Sequence, residues 1–192
     1  MTVSTFYFDL GSPYAYLTAE RIDEILPEPA IWQPVSLGAL FKINGRSSWG
    51  LGGAASRQAG IAEVQRRARD YGLQDVRWPE PWPTNYLYTM RAATYAFQVG
   101  CGREFTIEAF RHAFARGHDL AIEENVLWAA ERAGLDRTAV DEATRDPEIK
   151  LALRTATDAA HARGVFGVPT VAVSEQLFWG DDRLQDAVTA LR

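Results

Sequence analysis

The chain opens with Thr5-Phe6-Tyr7-Phe8-Asp9, an aromatic-rich run that predicts a strand. Gly11 then permits a sharp turn. From residue 14 to residue 26 apolar positions recur at helical spacing, with Ser12 placed as the N-cap and Pro13 as the first helical residue. Residues 30–35 read as a second strand, so a strand–helix–strand unit begins the chain. Residues 37–42 predict a short helical turn, and the glycine-rich stretch 44–53 predicts a mobile loop. Helical spacing returns over 56–71, 85–99, 105–116, 122–133, 138–145 and 147–163, with Gly72, Gly100, Gly117, Gly134 and Gly164 as stops. Within this stretch, Trp78-Pro79-Glu80-Pro81-Trp82-Pro83 is a loop, because prolines at alternate positions forbid a helix. Thr170-Val171-Ala172-Val173 is a β-branched strand, followed by another strand and a helix over residues 183–191. There is no internal repeat and no low-complexity tract.

The pattern divides the chain into a scaffold of strands near both ends, residues 1–36 and 146–192, and a helical insertion over 37–145. A chain of 192 residues with 47% hydrophobic content can bury a sizeable core in one domain with an insertion. The net charge is −5 and basic residues are scattered among acids, which argues against a nucleic-acid partner. No apolar run has transmembrane length, and residues 1–5 lack the features of a signal peptide. The expectation is a cytoplasmic protein with no membrane partner.

The chemistry concentrates near the two ends. A hydroxyl at Ser12, among the unsatisfied N–H groups of a helix start, favours an anion such as a thiolate; it is also an ordinary cap. Val168-Pro169 precedes a strand, where a cis peptide is tolerated and would leave the Val168 N–H and C=O free to pair with an extended peptide; a trans proline opening an edge strand is the other reading. Cys101 is the only cysteine, so a disulfide within one chain is excluded, and its Gly-Cys-Gly setting suggests a turn residue. His112 and His118 are six apart and His161 stands alone, so no metal site is expected and surface or helix-end roles are. Gly11-Ser12-Pro13 is not a nucleophile elbow, since proline removes the N–H an oxyanion hole would use.

Taken together, Phe8-Asp9-Leu10-Gly11-Ser12-Pro13-Tyr14-Ala15-Tyr16-Leu17, Leu37-Gly38-Ala39-Leu40-Phe41-Lys42, Trp82-Pro83-Thr84-Asn85-Tyr86, Arg163-Gly164-Val165-Phe166-Gly167-Val168-Pro169-Thr170 and Leu177-Phe178-Trp179-Gly180-Asp181-Asp182-Arg183-Leu184 carry a family likeness. In these segments, which run in order through nearly the whole chain, it resembles the 2-hydroxychromene-2-carboxylate isomerases and their relatives the kappa-class glutathione transferases. The resemblance implies an α/β fold: a thioredoxin-like sheet with a large all-helical insertion, of the DsbA and kappa type. Ser12 and Ala15 then occupy the places of a C-x-x-C pair. It further implies that glutathione is the cofactor, with Ser12 holding its sulfur as thiolate, Val168 and Pro169 pairing with its cysteinyl part, and Asp181 and Asp182 lying near its γ-glutamyl end. Either aspartate could instead cap the last helix.

Relatives commonly carry a Gly-Asn pair where this chain has Asn44-Gly45-Arg46, so the glutathione-contacting asparagine is matched by Asn44 at a one-residue shift or replaced by Arg46. The lysine and tyrosine that often follow are absent, with Ser56-Arg57-Gln58-Ala59-Gly60 in their place. The implied substrate is a small aromatic enone acid, with Trp82, Tyr86, Trp49 and Tyr88 as candidate pocket walls and Asn85 as a hydrogen-bonding group. Three readings stand: a glutathione-dependent cis/trans isomerase, a kappa-like transferase or peroxidase, and a non-catalytic thiol- or peptide-binding module. The resemblance also implies a homodimer.

Overall fold

The computed structural model describes residues 3–191. Four short strands, β1 (Ser4–Phe8), β2 (Ile31–Pro34), β3 (Thr170–Val173) and β4 (Gln176–Trp179), form one sheet in the order β2-β1-β3-β4. β1 runs parallel to β2 and antiparallel to β3, so strands from opposite ends of the chain sit side by side. The register places Phe6 opposite both Trp32 and Val171. Because side chains alternate along a strand, Phe6, Phe8, Trp32, Val171 and Val173 enter one core while Tyr7 and Ala172 enter a second, with Leu40, Ala160 and Val168.

Helices α1 (Pro13–Ala19) and α2 (Ile22–Ile25) connect β1 to β2. Between β2 and β3 come α3 (Leu37–Ile43), α4 (Ala54–Asp70), α5 (Leu87–Gln98), α6 (Gly102–Phe110), α7 (Glu123–Arg132), α8 (Arg137–Arg145) and α9 (Pro147–Ala162), and α10 (Leu184–Ala190) follows β4. The glycine stops Gly72, Gly100, Gly117, Gly134 and Gly164 all have positive φ, as helix termini of this kind require. The larger core is continuous from the sheet through α4 to α8, joining Phe8 and Trp32 to Val64, Met90, Phe105, Val126 and Val140.

Four departures from the sequence reading have physical causes. The helix expected over 14–26 is broken between Ala19 and Ile22, where the Arg21 side chain donates to the carbonyls of Leu17 (2.9 Å) and Asp181 (2.7 Å) and stacks on the Tyr71 ring. The stretch 44–53 contains a 3-10 turn, Trp49–Leu51, in which the Gly50 N–H donates to Ser48 Oγ, and α4 begins soon after it. The helix expected over 105–116 ends as a π turn, Arg111–Ala115, and His112 in it is buried instead of superficial. Its ring is stacked between His118 (4.1 Å) and Trp128 (4.2 Å), because the chain folds back through Gly117. Finally, Asp181 and Asp182 lie in a 3-10 turn ahead of α10, and neither side chain caps that helix.

Candidate active site

The Asp9-Leu10-Gly11-Ser12 loop has its main-chain polar groups assigned one by one. Leu10 N–H points at Met90 Sδ (3.2 Å), Gly11 N–H donates to Asp9 Oδ1 (2.8 Å), Gly11 C=O accepts from Trp82 Nε1 (3.2 Å), and Ser12 N–H donates to Asp9 C=O (3.0 Å). Gly11 is required here, since an added Cβ would sit 2.3 Å from the Tyr86 ring. Ser12 then caps α1 as expected: its Oγ accepts from Ala15 N–H (3.2 Å), with Pro13 first in the helix. The Ser12 hydroxyl lies 3.5 Å from the Val168 carbonyl, the far limit of a hydrogen bond, which leaves its proton weakly engaged.

The Val168–Pro169 peptide is cis, and Val168 and Ser12 line one small cavity of about 110 Å³. Gly167, Phe166, Tyr14, Trp49, Trp82 and Trp179 share its wall. Among the described residues the Val168 N–H makes no hydrogen bond. Beside this cavity is a larger one, of about 530 Å³, lined by Asp9, Lys42, Asn85, Tyr86 and Leu87 among others. Gly11, Leu37, Phe41, Arg46 and Ser48 belong to both walls.

Asp9 is a site residue that sequence reasoning did not single out. Its carboxylate is buried and accepts Gly11 N–H at Oδ1 and Leu37 N–H at Oδ2, both at 2.8 Å, tying the Ser12 loop to the start of α3. Burial pushes its pKa up to about 6, against the two N–H bonds that act to lower it. The available sequence signal was an acidic residue at the end of an apolar strand, where solvent exposure would be the ordinary expectation.

The remaining sequence-derived residues separate into two groups. Trp82 lines the smaller cavity, and Tyr86 and exposed Asn85 line the larger; the Asn85 Oδ1 accepts from Leu87 N–H (3.0 Å). Pro169, although next to Val168, lines neither cavity; it is buried and its carbonyl accepts from Gly180 N–H (3.0 Å). The structure places four further residues elsewhere. Asn44 lies outside both linings, because it ends α3 and its amide donates to Leu40 C=O (2.8 Å); Arg46 lines both. Tyr88 donates to Asp141 (2.9 Å), across α5 and α8. Asp181 is buried with its carboxylate accepting from Arg67 (2.6 Å) and Tyr71 (2.9 Å); burial raises its pKa while those two partners lower it. Asp182 is half-exposed, 3.4 Å from Arg67, and neither aspartate lines either cavity.

A strand–helix–strand unit joined to an antiparallel hairpin through a buried central strand, with Ser12 where a helix starts and Val168-cis-Pro169 facing it, defines a thioredoxin-like protein of the kind that carries a helical insertion. The chain belongs to the DSBA-like thioredoxin domain family, which matches residues 3–192. It is 27% identical over 190 residues to a 2-hydroxychromene-2-carboxylate isomerase of Sphingobium xenophagum, covering 93% of this chain and 92% of that one. A protein of the same name from Pseudomonas putida is 26% identical over 190 residues, covering 93% and 89%. The solved structure of a 2-hydroxychromene-2-carboxylate isomerase superposes with a TM-score of 0.85 at 22% identity, over 98% of this chain and 94% of that chain. The fold expected from the sequence is thus the fold observed. Among the described residues no helix is long and apolar enough to cross a membrane, and no group of three or more His, Cys, Asp or Glu side chains could hold a metal ion.

Proposed function

We propose that the protein is a glutathione-dependent cis/trans isomerase of an unsaturated aromatic keto acid, of the 2-hydroxychromene-2-carboxylate and trans-o-hydroxybenzylidenepyruvate type. The observation that carries this reading is the pairing of Ser12 with the Val168 main chain in one small cavity that shares a wall with a larger, mostly apolar one. The residues present suit a thiol-bearing peptide. Val168 offers an uncommitted N–H at the cavity wall, and Ser12 offers a hydroxyl proton with only a distant acceptor.

Glutathione, held by Ser12 and the Val168 main chain, would supply a thiolate for reversible addition to the conjugated carbon, chemistry that turns a double bond into a rotatable single bond without consuming the thiol. Ser12 holds the sulfur in its anionic form by donating a hydrogen bond, since such a bond to the charged form lowers a thiol's pKa. Val168 orients the cysteinyl segment through main-chain hydrogen bonds. α1 has only seven residues, so the hydroxyl matters more here than the helix dipole. Tyr86 and Leu87 supply part of the acid's apolar seat, and Trp82 helps close the smaller cavity from water.

Calorimetric titration of reduced glutathione at two pH values, together with an isomerisation assay on trans-o-hydroxybenzylidenepyruvate, tests the reading. The wild type is expected to bind glutathione with proton release and to isomerise the acid without consuming the thiol. Ser12→Ala removes a hydrogen bond to a charged group and should lower kcat/KM roughly 10- to 100-fold with less proton release. Absence of glutathione binding removes the proposal. A stable thioether product would replace it with a transferase of the kappa kind.

A further inference from the structure

The larger cavity has an unusual balance of charge. Its buried acid, Asp9, already accepts two main-chain N–H groups, whereas its two basic side chains, Lys42 and Arg46, are exposed and have no carboxylate partner among the described residues. Other arginines around the site are committed. Arg57 donates to Trp82 C=O (3.0 Å) and Arg67 to Asp181 (2.6 Å).

The main chain holds Arg46 at this position for a local reason. α3 ends in a Schellman motif, in which Gly45 takes φ +62° and the Arg46 N–H reaches back to Phe41 C=O (2.8 Å), with Gly45 N–H near Lys42 C=O (3.5 Å). This ties Arg46 to Phe41, the aromatic residue that lines both cavities with it. The guanidinium rests 4.8 Å over the Phe166 ring, a contact that stabilises a cation without occupying its in-plane N–H donors.

We propose that Arg46 determines specificity for carboxylates in the larger cavity, gripping the carboxylate of a small aromatic or unsaturated monoacid at the mouth while the acid's apolar body lies against Leu37, Phe41 and Tyr86. This rests on the reading of the larger cavity as the seat of the acid substrate. A planar guanidinium can meet a carboxylate with two parallel hydrogen bonds, which Lys42 cannot do, so Arg46 is the discriminating cation and Lys42 an auxiliary charge. The buried Asp9 at the opposite extreme of exposure disfavours a second anionic group inside, which confines the charge of the ligand to the mouth.

The test needs no turnover. Cinnamate and its neutral isostere cinnamide are titrated calorimetrically into the wild type, Arg46→Ala and Arg46→Lys, with and without reduced glutathione, and glutathione alone is titrated into each. Wild type is expected to prefer cinnamate at least tenfold. Arg46→Ala should abolish that preference, and Arg46→Lys should keep part of it. The proposal is overturned if wild type binds neither probe or shows no preference, if the preference survives Arg46→Ala, or if that variant loses glutathione instead. Should the wild type prefer cinnamate in the Arg46-dependent way yet bind no glutathione, the carboxylate site stands and the isomerase reading falls.

Discussion

At Asp9, burial and hydrogen bonding pull one carboxyl in opposite directions, and burial wins, with a pKa pushed up from 3.8 to about 6. The folded state therefore binds this proton more tightly than the unfolded chain. Its contribution to stability is greatest below about pH 4 and declines as pH rises toward 6, above which the fold carries the cost of a buried charge. That cost is about 3 kcal/mol at most. Thermal melts of wild type and Asp9→Asn at pH 7 and pH 4.5 should show the wild type gaining on the variant upon acidification; a pH-independent difference would contradict the assignment. Asp9 could not be read from the sequence because what makes it a site residue is its burial and its bond to Leu37, 28 positions away. Ser12 could, because a cap is a property of four consecutive residues. Asn44 and Arg46 show the limit between these cases. Alignment by pattern left both open, and the Schellman turn at Gly45 decides which of the two side chains reaches the cavities.

Elements were legible where their stops are local and illegible where a distant side chain interrupts them. Glycine ends for α4, α5, α7 and α9 followed from position alone, whereas the break between α1 and α2 depends on Arg21 reaching Asp181, 160 residues on. The π turn after α6 is a similar case. Its extra residue carries His112 inward between His118 and Trp128, and leaves Nδ1 without a hydrogen-bond partner among the described residues while Nε2 lies 3.4 Å from Asn125. Burial first, then the neighbouring His118 and Arg116, lowers its pKa from 6.5 to about 4, opposed by the bond to Asn125. The neutral ring is thus favoured by folding. Stability from this group is complete above about pH 6.5 and is lost as pH falls toward 4, the reverse of the trend at Asp9. His112→Phe keeps an aromatic ring in the stack and removes the titration. The melting temperature of this variant should fall less than that of the wild type between pH 7 and pH 5, as followed by circular dichroism.

At the scale of the whole molecule, the pattern of strands at the ends and helices between them suggested two parts, but hydrophobic periodicity cannot show whether such parts share an interior. Here they do. Phe6, Phe8, Trp32 and Val171 of the sheet pack in the same core as Val64, Met90, Phe105, Val126 and Val140 of five different helices. Polar links reinforce the apolar ones, since Arg67 of α4 is bonded to Asp181 beyond β4 and Met90 of α5 lies against the loop that carries Ser12. Opening either part would strand large apolar surfaces of the other in water, at roughly 25 cal/mol for each Å² exposed. The expectation is one cooperative transition. Urea unfolding followed by far-ultraviolet circular dichroism, which is dominated by the helices, should coincide with unfolding followed by tryptophan fluorescence, which reports on Trp49, Trp78 and Trp82 around the site, Trp32 and Trp179 in the sheet and Trp128 in α7. Midpoints that separate would show that the helices keep their structure without the sheet, and the shared core would then not couple them. Coincident midpoints would mean that both cavities form only in the fully folded chain, because their walls draw on the loop after β1, α3, α5 and the loop before β3 at once.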